Sequence, residues 1–337
     1  YFRDARGQVT NIVYPDGLSA QFTYDANGRT AAIMYPGGPV VSYTRDTRSR
    51  VTGMSWNSQS IAFQADAIGH ITNEIRSNGA ESRYTYDAAD RLTGLLHKTG
   101  TNALAQMRYE YNSMSRATNT VKLAGFLPEA PVFSPSTNRA AYDLADEMTN
   151  WNGASCLADN RGNVTNFPGA ASFNASYDAE NRLTSITRQG TNSQYTWNGL
   201  GQRVQRSVAG MARHDHYDHL GRLLFETDAA GAITAQYFYR DSNLAALWVA
   251  GKGTHYYHFD KRGSVLALTD EQGKLSAIYR YAPYGAVASG FSRIPNPFTF
   301  IGRYGVMDDG AGLFLMRHRH FDATTDRFLQ RDPISLK

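Results

Sequence analysis

The densest group of potential metal ligands in the sequence is the run His214-Asp215-His216-Tyr217-Asp218-His219. His214 and His216 are two residues apart, so on a strand they would share one face, and His219 would lie in the turn that follows. Three imidazoles arranged in this way could ligate zinc. The run also fits a Tyr-Asp repeat that recurs along the whole chain, and this repeat explains its residues without a metal. We therefore predict neither a bound metal nor any other cofactor.

Patterns that carry other kinds of catalysis are missing from the sequence. It contains no Gly-x-Ser-x-Gly nucleophile elbow, no phosphate-binding glycine loop and no paired cysteine motif. Its many aspartates precede turns, where a carboxylate serves the backbone rather than a substrate. Cys156 is the only cysteine, which excludes an intrachain disulfide and indicates a small packed side chain. The sequence thus predicts that this chain is not an enzyme.

The recurring unit is a Tyr-Asp turn that leads into an arginine, and its copies include residues 24–29, 86–93, 177–184, 197–203, where Trp197-Asn198 replaces Tyr-Asp, and 217–222. In residues 86–93 and 177–184 the return strand begins with Arg-Leu-Thr. The aspartate opens a type I turn by accepting hydrogen bonds from its own backbone, and the third residue after it must reach the left-handed region. That residue is a glycine in many copies and Asp90 or Asn181 in others, and both types tolerate positive φ. Ser49 and Ser115 are weaker fits at this position.

Aromatic residues alternate in the strands that precede these turns, as in Tyr84/Tyr86, Tyr237/Tyr239 and Tyr257/Phe259, so each pair lies on one face. The early turns begin at Asp4, Asp25, Asp46, Asp66 and Asp87, and a later series begins at Asp159, Asp178, Asn198 and Asp218. Each period of about twenty residues holds two strands and two turns. We predict an all-β fold, in which the hairpins form one long sheet that coils as it grows and both of whose faces meet water.

Composition and charge limit the kinds of partner and the cellular locations that the sequence allows. The net charge is +4 and the sequence pI is near 9.0, but arginines are spread along the turns and no run of five basic residues occurs, so we expect no nucleic-acid partner. The longest apolar run, Leu244–Ala250, is too short for a membrane span.

The regular pattern breaks between Leu123 and Arg139, where prolines predict a loop or a bend. Because the chain opens directly on a repeat, we expect a longer protein whose export signal lies upstream.

The character of the sequence changes from His255, where an ordered series of aromatic and glycine motifs begins. Its segments are residues 255–265, 268–274, 281–285, 296–298, 300–305, 312–317 and 327–333. With these segments and the repeats, the chain resembles the RHS/YD-repeat proteins, which include polymorphic toxins, the C component of Tc toxins and teneurins. The resemblance implies YD repeats over residues 1–254 and an RHS-associated core domain, truncated at its C-terminal end, over residues 255–337. It also implies that the sheet spirals into a partial hollow shell.

In toxins of this family the core domain closes one end of the shell and often cuts the chain just beyond itself at an aspartyl-type site. Arg331 and Asp332 match the Arg-Asp of the family's Arg-Asp-Pro-x-Gly motif and are the implied catalytic half-site. Ser335 replaces the usual glycine of that motif, and Asp326 replaces a glycine that usually precedes Arg-Phe. The second aspartate would lie beyond Lys337, so we expect this chain to be catalytically silent.

Three functions follow from the resemblance. The favoured one is a structural shell segment, secreted or on a bacterial cell surface, that encloses and delivers a C-terminal toxin or effector. The second is an extracellular module that binds a carbohydrate or a cell-surface protein through exposed tyrosine and tryptophan side chains. The third is the remnant of a self-cleaving protease. The first is preferred because the core-domain signature marks the junction with a variable tip, whereas aromatic residues at period two are explained by sheet packing alone.

Overall fold

The predicted all-β fold is confirmed in a computed structural model that describes residues 1–125, 137–144, 147–169 and 172–332. Strands that follow one another in sequence pair antiparallel, without crossovers. The first sheet has twelve strands: β1 Phe2–Arg3, β2 Val9–Val13, β3 Ser19–Tyr24, β4 Thr30–Met34, β5 Val40–Arg45, β6 Val51–Trp56, β7 Gln59–Ala65, β8 Ile71–Arg76, β9 Ala80–Tyr86, β10 Leu92–Thr99, β11 Asn102–Tyr111 and β12 Ala117–Gly125.

Three further sheets complete the described part of the chain. A small one contains β13 Ala140–Tyr142, β14 Met148–Trp151 and β15 Ala154–Ser155. A fourteen-stranded sheet, the second large sheet, contains β16 Leu157–Ala158, β17 Val164–Phe167, β18 Phe173–Tyr177, β19 Leu183–Arg188, β20 Thr191–Trp197, β21 Arg203–Val208, β22 Met211–Tyr217, β23 Leu223–Asp228, β24 Ile233–Arg240, β25 Asn243–Val249, β26 Gly253–Phe259, β27 Val265–Thr269, β28 Leu275–Tyr281 and β29 Val287–Ser292. The last sheet contains β30 Met307–Gly310, β31 Leu313–Met316, β32 Arg319–Asp322 and β33 Arg327–Phe328.

Among the described residues, one sheet gives way to the next between β12 and β13, between β15 and β16, and between β29 and β30. Residues 293–306 separate the second large sheet from the last one, and they include Pro295 and Pro297, which have no N–H to donate to a ladder. They also form a short 3-10 turn at Gly302–Tyr304. Most of the predicted bend between Leu123 and Arg139, including its three prolines, lies outside the described residues.

The turns have the geometry that the repeat predicts. In the turn at Asp25, the carboxylate Oδ1 accepts the backbone N–H groups of Asn27 and Arg29, each at 2.9 Å. The left-handed position is occupied as expected, with φ of 61° at Asp90 and 62° at Asn181. The two serines flagged as weaker fits also adopt it, with φ of 76° at Ser49 and 58° at Ser115. The capped backbone therefore determines the turn even where the residue type is not the best one.

The two large sheets pack face to face. Their shared apolar cluster joins Phe22, Ile33 and Trp56 of the first sheet to Phe238 and Tyr256 of the second. Tyrosine hydroxyls of the first sheet also donate to backbone carbonyls of the second, across about two hundred residues of sequence. One of these bonds, from Tyr35 Oη to the carbonyl of Tyr237, is 2.7 Å long and buried. The inner faces are thus joined by both apolar and directional contacts.

The opposite face of the second large sheet is covered by residues 294–332, which we term the C-terminal unit. Tyr237 and Tyr257, whose side chains alternate with those of Phe238 and Tyr256, pack in a second cluster with Phe298 and Met307 of this unit. Strands β23 to β27 are consequently buried on both faces. The expectation that both sheet faces meet water is wrong for these strands, because each face carries its own covering layer.

Candidate functional site

The predicted half-site lies at the surface end of the C-terminal unit. Arg331 and Asp332 are both exposed, and the Asp332 side chain keeps 53% of its accessible area. Asp332 Oδ2 lies 3.1 Å from Arg319 Nη1 on β32, and the Arg319 guanidinium in turn lies 3.8 Å above the Phe328 ring. The ion-pair partner that the structure provides for Asp332 is therefore Arg319, which the sequence had not singled out.

The chain is held firmly just before this half-site. Leu329 is buried, its N–H donates to the carbonyl of His320, and its carbonyl accepts the N–H of Val164 on β17. Gln330 is also buried, and its Oε1 accepts the N–H of His320 at 2.7 Å. The backbone thus passes from a packed interior at Gln330 to solvent at Arg331 within one residue.

The departure at Asp326 has a local explanation. Asp326 adopts a φ of 59°, in the left-handed region that a glycine would occupy without strain. Aspartate is among the residue types that tolerate this conformation, so the turn before β33 forms in spite of the substitution. Burial and the neighbouring Asp322 raise the pKa of the Asp326 carboxyl above its usual value.

A buried ionic network joins the C-terminal unit to the repeats, and its centre is Arg203. Other copies of the repeat place Val51, Leu183 or Leu223 at the corresponding position, five residues after the turn aspartate or asparagine. The Arg203 side chain is fully buried, and its Nε lies 2.9 Å from Asp215 Oδ2 on the neighbouring strand β22. An arginine thus replaces an apolar core residue and needs counter-charges inside the protein.

Asp309, from β30 of the C-terminal unit, supplies the second counter-charge. Its two carboxylate oxygens lie 2.6 and 2.7 Å from Arg203 Nη1, and Arg206 and His320 approach the same carboxylate at 3.2 Å each. Burial alone would raise the pKa of Asp309, but Arg203, with the hydrogen bond from His320, holds it well below its usual range. Burial lowers the pKa of His320.

A second buried pair lies at the other side of the same interface. Arg188 on β19 contacts Asp322 of β32 at 2.8 Å, and both side chains are almost fully buried. Thr325 donates to the same carboxylate at 3.0 Å. Because breaking a buried pair leaves an uncompensated charge, these contacts restrict the C-terminal unit to one docking position. The buried carboxylates of this interface are paired with arginines, and this arrangement is suited to holding the C-terminal unit on the second large sheet.

Sequence analysis missed Arg203 and Asp309. A signal was available in the sequence. Gln202 stands where other copies have the repeat arginine, and Arg203 stands at the next position, which is apolar in several of those copies. Asp309 carried no such signal, since its partner lies 106 residues away in sequence.

The histidine run has ordinary structural partners. His216 lies 2.7 Å from Asp16 and stacks on Phe225, while the ring of His219 meets the edge of Phe22. Among the described residues, no group of three or more His, Cys, Asp or Glu side chains is arranged to hold a metal ion. Cys156 is buried and unpaired within an apolar cluster, as predicted.

None of the described segments forms a helix with the length and apolar character needed to cross a membrane.

Comparison with known proteins finds relatives that share the repeat sequence. The RHS repeat family matches residues 3–33 and 66–103. A tRNA3(Ser)-specific nuclease, WapA, of Bacillus spizizenii is 27% identical over 207 residues, which are 59% of this chain and 9% of the nuclease. The tRNA nuclease WapA of Bacillus subtilis strain 168 is 26% identical over a stretch of the same length. The chain therefore spans about a tenth of the length of these relatives.

Solved structures of Tc toxins share the fold. The TcdB2–TccC3 complex superposes with a TM-score of 0.72 at 15% identity, covering 98% of this chain and 23% of that one. A Tc holotoxin pore of Photorhabdus luminescens gives a TM-score of 0.57 at 16% identity, covering 95% of this chain and 20% of the other. The repeats, the hairpin sheets and these likenesses together support the resemblance of the chain to RHS/YD-repeat proteins.

Proposed function

We propose that this chain is a segment of an RHS shell that encloses and delivers an effector attached to its C-terminal end. The related WapA proteins are named as tRNA nucleases, and the matching stretch is a small part of each. A repeat scaffold carrying a separate toxic segment accounts for a fold built of structural hairpins whose relatives are named as nucleases and as part of a holotoxin. On this proposal the effector acts after delivery, and the repeats themselves carry no chemistry.

The observation that carries the proposal is the docking of the C-terminal unit. Residues 255–337 act on this view as the RHS-associated core domain, following the repeats of residues 1–254. Arg203–Asp309 and Arg188–Asp322 fix the unit on the second large sheet, and the backbone becomes exposed directly after Gln330. A chain that continued beyond Lys337 would thus start from a rigid anchor.

Arg331 and Asp332 are proposed as one half of a self-cleavage site. Two carboxylates that share a proton could activate a water or the scissile carbonyl, and a nearby cation would hold the Asp332 side chain in position. Arg319, 3.1 Å from Asp332, is suited to that role. The second carboxylate would come from the chain beyond Lys337.

The alternative of an adhesive module is less well supported. Trp56 is buried, and Trp151, Trp197 and Trp248 are partly buried and packed against apolar clusters. The Trp197 indole N–H also donates to the carbonyl of Leu183 at 2.8 Å. These rings present little free face for stacking on a sugar. Exposed tyrosines such as Tyr304 would have to supply such a surface.

Limited proteolysis of the protein encoded by the complete gene tests the proposal. We expect the segment after Lys337 to resist a protease that digests it readily once the repeats are unfolded in urea. A tail that is cut as fast in the native protein as in urea would contradict enclosure. A complete gene that encodes no further domain would favour the adhesive alternative.

A further inference from the structure

A groove runs along the turn edges of the two large sheets and continues beside the C-terminal unit. One part, of about 620 Å³, lies between the turns of β1 to β6 and the turns of β22 to β25. A second part, of about 520 Å³, lies between the turns of β20 to β25 and residues 298–318. The two parts share Leu220, Arg222 and Ser242 in their walls, so they adjoin each other, and we term them together the groove.

The charge of the groove walls is strongly one-sided. Asp241 is the one carboxylate residue in the lining of the two parts, whereas six arginines line them: Arg3, Arg29, Arg45, Arg203, Arg222 and Arg317. Four of these arginines already have carboxylate partners. The pairs are Arg29 with Asp25, Arg45 with Asp241, Arg203 with Asp215 and Asp309, and Arg222 with Asp218. Within the described residues, Arg3 and Arg317 contact no carboxylate, and both are exposed. These two guanidinium groups leave the groove with uncompensated positive charge.

The end of the groove near the C-terminal unit also carries exposed apolar side chains. Leu200 and Leu220 occupy turn tips and are 66% and 64% exposed, and both face this part of the groove. Tyr304, at 57% exposure, lies in the same wall. Exposed leucines at adjacent turn tips indicate a surface that an apolar side chain of a partner could cover.

We propose that this groove binds an extended acidic polypeptide segment that carries an apolar residue after its carboxylates. Carboxylates would pair with Arg3 and Arg317, and the apolar side chain would lie between Leu200 and Leu220. A nucleic acid fits less well because base stacking needs open aromatic faces. The hydroxyls of Tyr24, Tyr43 and Tyr239 are bound to backbone carbonyls, and only Tyr304 among the groove tyrosines is mostly exposed.

The test uses the full 337-residue chain and a fluorescein-labelled peptide of alternating Asp and Glu ending in Leu-Phe, followed by fluorescence anisotropy at low and high salt. We expect salt-sensitive binding that weakens about tenfold or more in an Arg3→Glu/Arg317→Glu variant, since charge reversal repels the ligand. Arg108→Glu is the matched control, because Arg108 is exposed outside the groove. Circular dichroism and melting curves verify that each variant is folded.

Three outcomes overturn the proposal. The first is an unchanged affinity in the folded Arg3→Glu/Arg317→Glu variant. The second is binding of a lysine-substituted peptide as tight as that of the acidic one. The third is tighter binding of a short oligo(dT), which would make the groove a nucleic-acid surface. A loss of affinity when Leu-Phe is replaced by Gly-Ser, together with the expected charge dependence, supports both parts of the proposed occupant.

Discussion

Arg203 and Asp309 form a buried pair in which one guanidinium nitrogen lies 2.6 and 2.7 Å from both carboxylate oxygens, linking a repeat strand to the C-terminal unit. The pair exists because one repeat has an arginine where Leu183 and Leu223 stand in others. An apolar residue there would pack without specifying a partner. The arginine instead requires Asp309, and this requirement selects one docking position.

Removing one partner of this pair should be costly. We expect Asp309→Ala to lower the free energy of unfolding by about 3–5 kcal/mol, because Arg203 would keep a buried charge with less compensation. Arg203→Leu/Asp309→Ala should lose less than the sum of the two single changes, since both charges are removed together. Urea unfolding of the four proteins measures this coupling. The surface pair of Arg108 and Glu110 is the control, with an expected effect below about 1 kcal/mol. Additive effects at the buried pair would refute the coupling.

The turn aspartates should stabilise the hairpins individually. Asp178 accepts the N–H groups of Glu180 and Arg182 at 2.9 Å each, so Asp178→Ala should cost about 1–2 kcal/mol. In the same turn Asn181 has a φ of 62°, and Asn181→Gly should be neutral or stabilising while Asn181→Val should destabilise. Melting temperatures of the three variants check the order. A glycine variant that is less stable than the valine variant would contradict the turn assignment.

A tyrosine hydroxyl should contribute to the contact between the two large sheets. Tyr35 is fully buried and donates to the carbonyl of Tyr237 at 2.7 Å. Tyr35→Phe retains the ring and removes this donor, so we expect a loss of about 1 kcal/mol. Tyr284→Phe, at an exposed position, is the matched change. Equal urea midpoints for wild type and Tyr35→Phe would show that the hydroxyl adds nothing to the sheet contact.

Stability should fall on mild acidification. His97 joins the two large sheets, with Nε2 2.8 Å from the carbonyl of Phe259, and burial lowers its pKa to about 4. Because this folded-state value lies below the unfolded value near 6.5, the contribution of His97 is complete above pH 6.5 and is lost as the pH falls toward 4. At pH 5 the loss is on the order of 2 kcal/mol from this group.

Buried histidines elsewhere add to this acid sensitivity, since burial also lowers the pKa of His255, His258 and His320. Urea unfolding at pH 7 and pH 5 measures the total loss. His97→Gln should reduce the difference in unfolding free energy between the two pH values. An identical pH dependence in wild type and His97→Gln would contradict the role of His97.

Local structure was predictable from the sequence, and its assembly was not. The turn residues and strand faces follow from short-range backbone chemistry, so Asp90, Asn181 and even Ser49 adopt the expected conformation. Which sheet covers which face depends on contacts about two hundred residues apart, as between Tyr35 and Tyr237. Because each repeat has a similar pattern, its sequence alone does not identify its partner across the interface.

In the candidate site, too, the sequence identified some residues and not their partners. Arg331 and Asp332 could be named from their motif, but the partner of Asp332, Arg319, belongs to a different strand and has no sequence signature. If Asp332 is half of a cleavage site, Asp332→Asn in the protein encoded by the complete gene should leave the melting temperature unchanged and stop cleavage. Intact-mass measurement distinguishes the products. Cleavage of that variant at the normal rate would leave Asp332 with a purely structural role.

The central claim is that the repeats enclose a segment attached after the C-terminal unit. Electron cryomicroscopy of the protein encoded by the complete gene tests it most directly, because the density that follows Asp332 can be traced from the anchored Leu329 and Gln330. We predict that this density enters a volume enclosed by the repeats of the complete protein. Density that leaves Asp332 toward bulk solvent, with a tail folded outside the repeats, would contradict the claim.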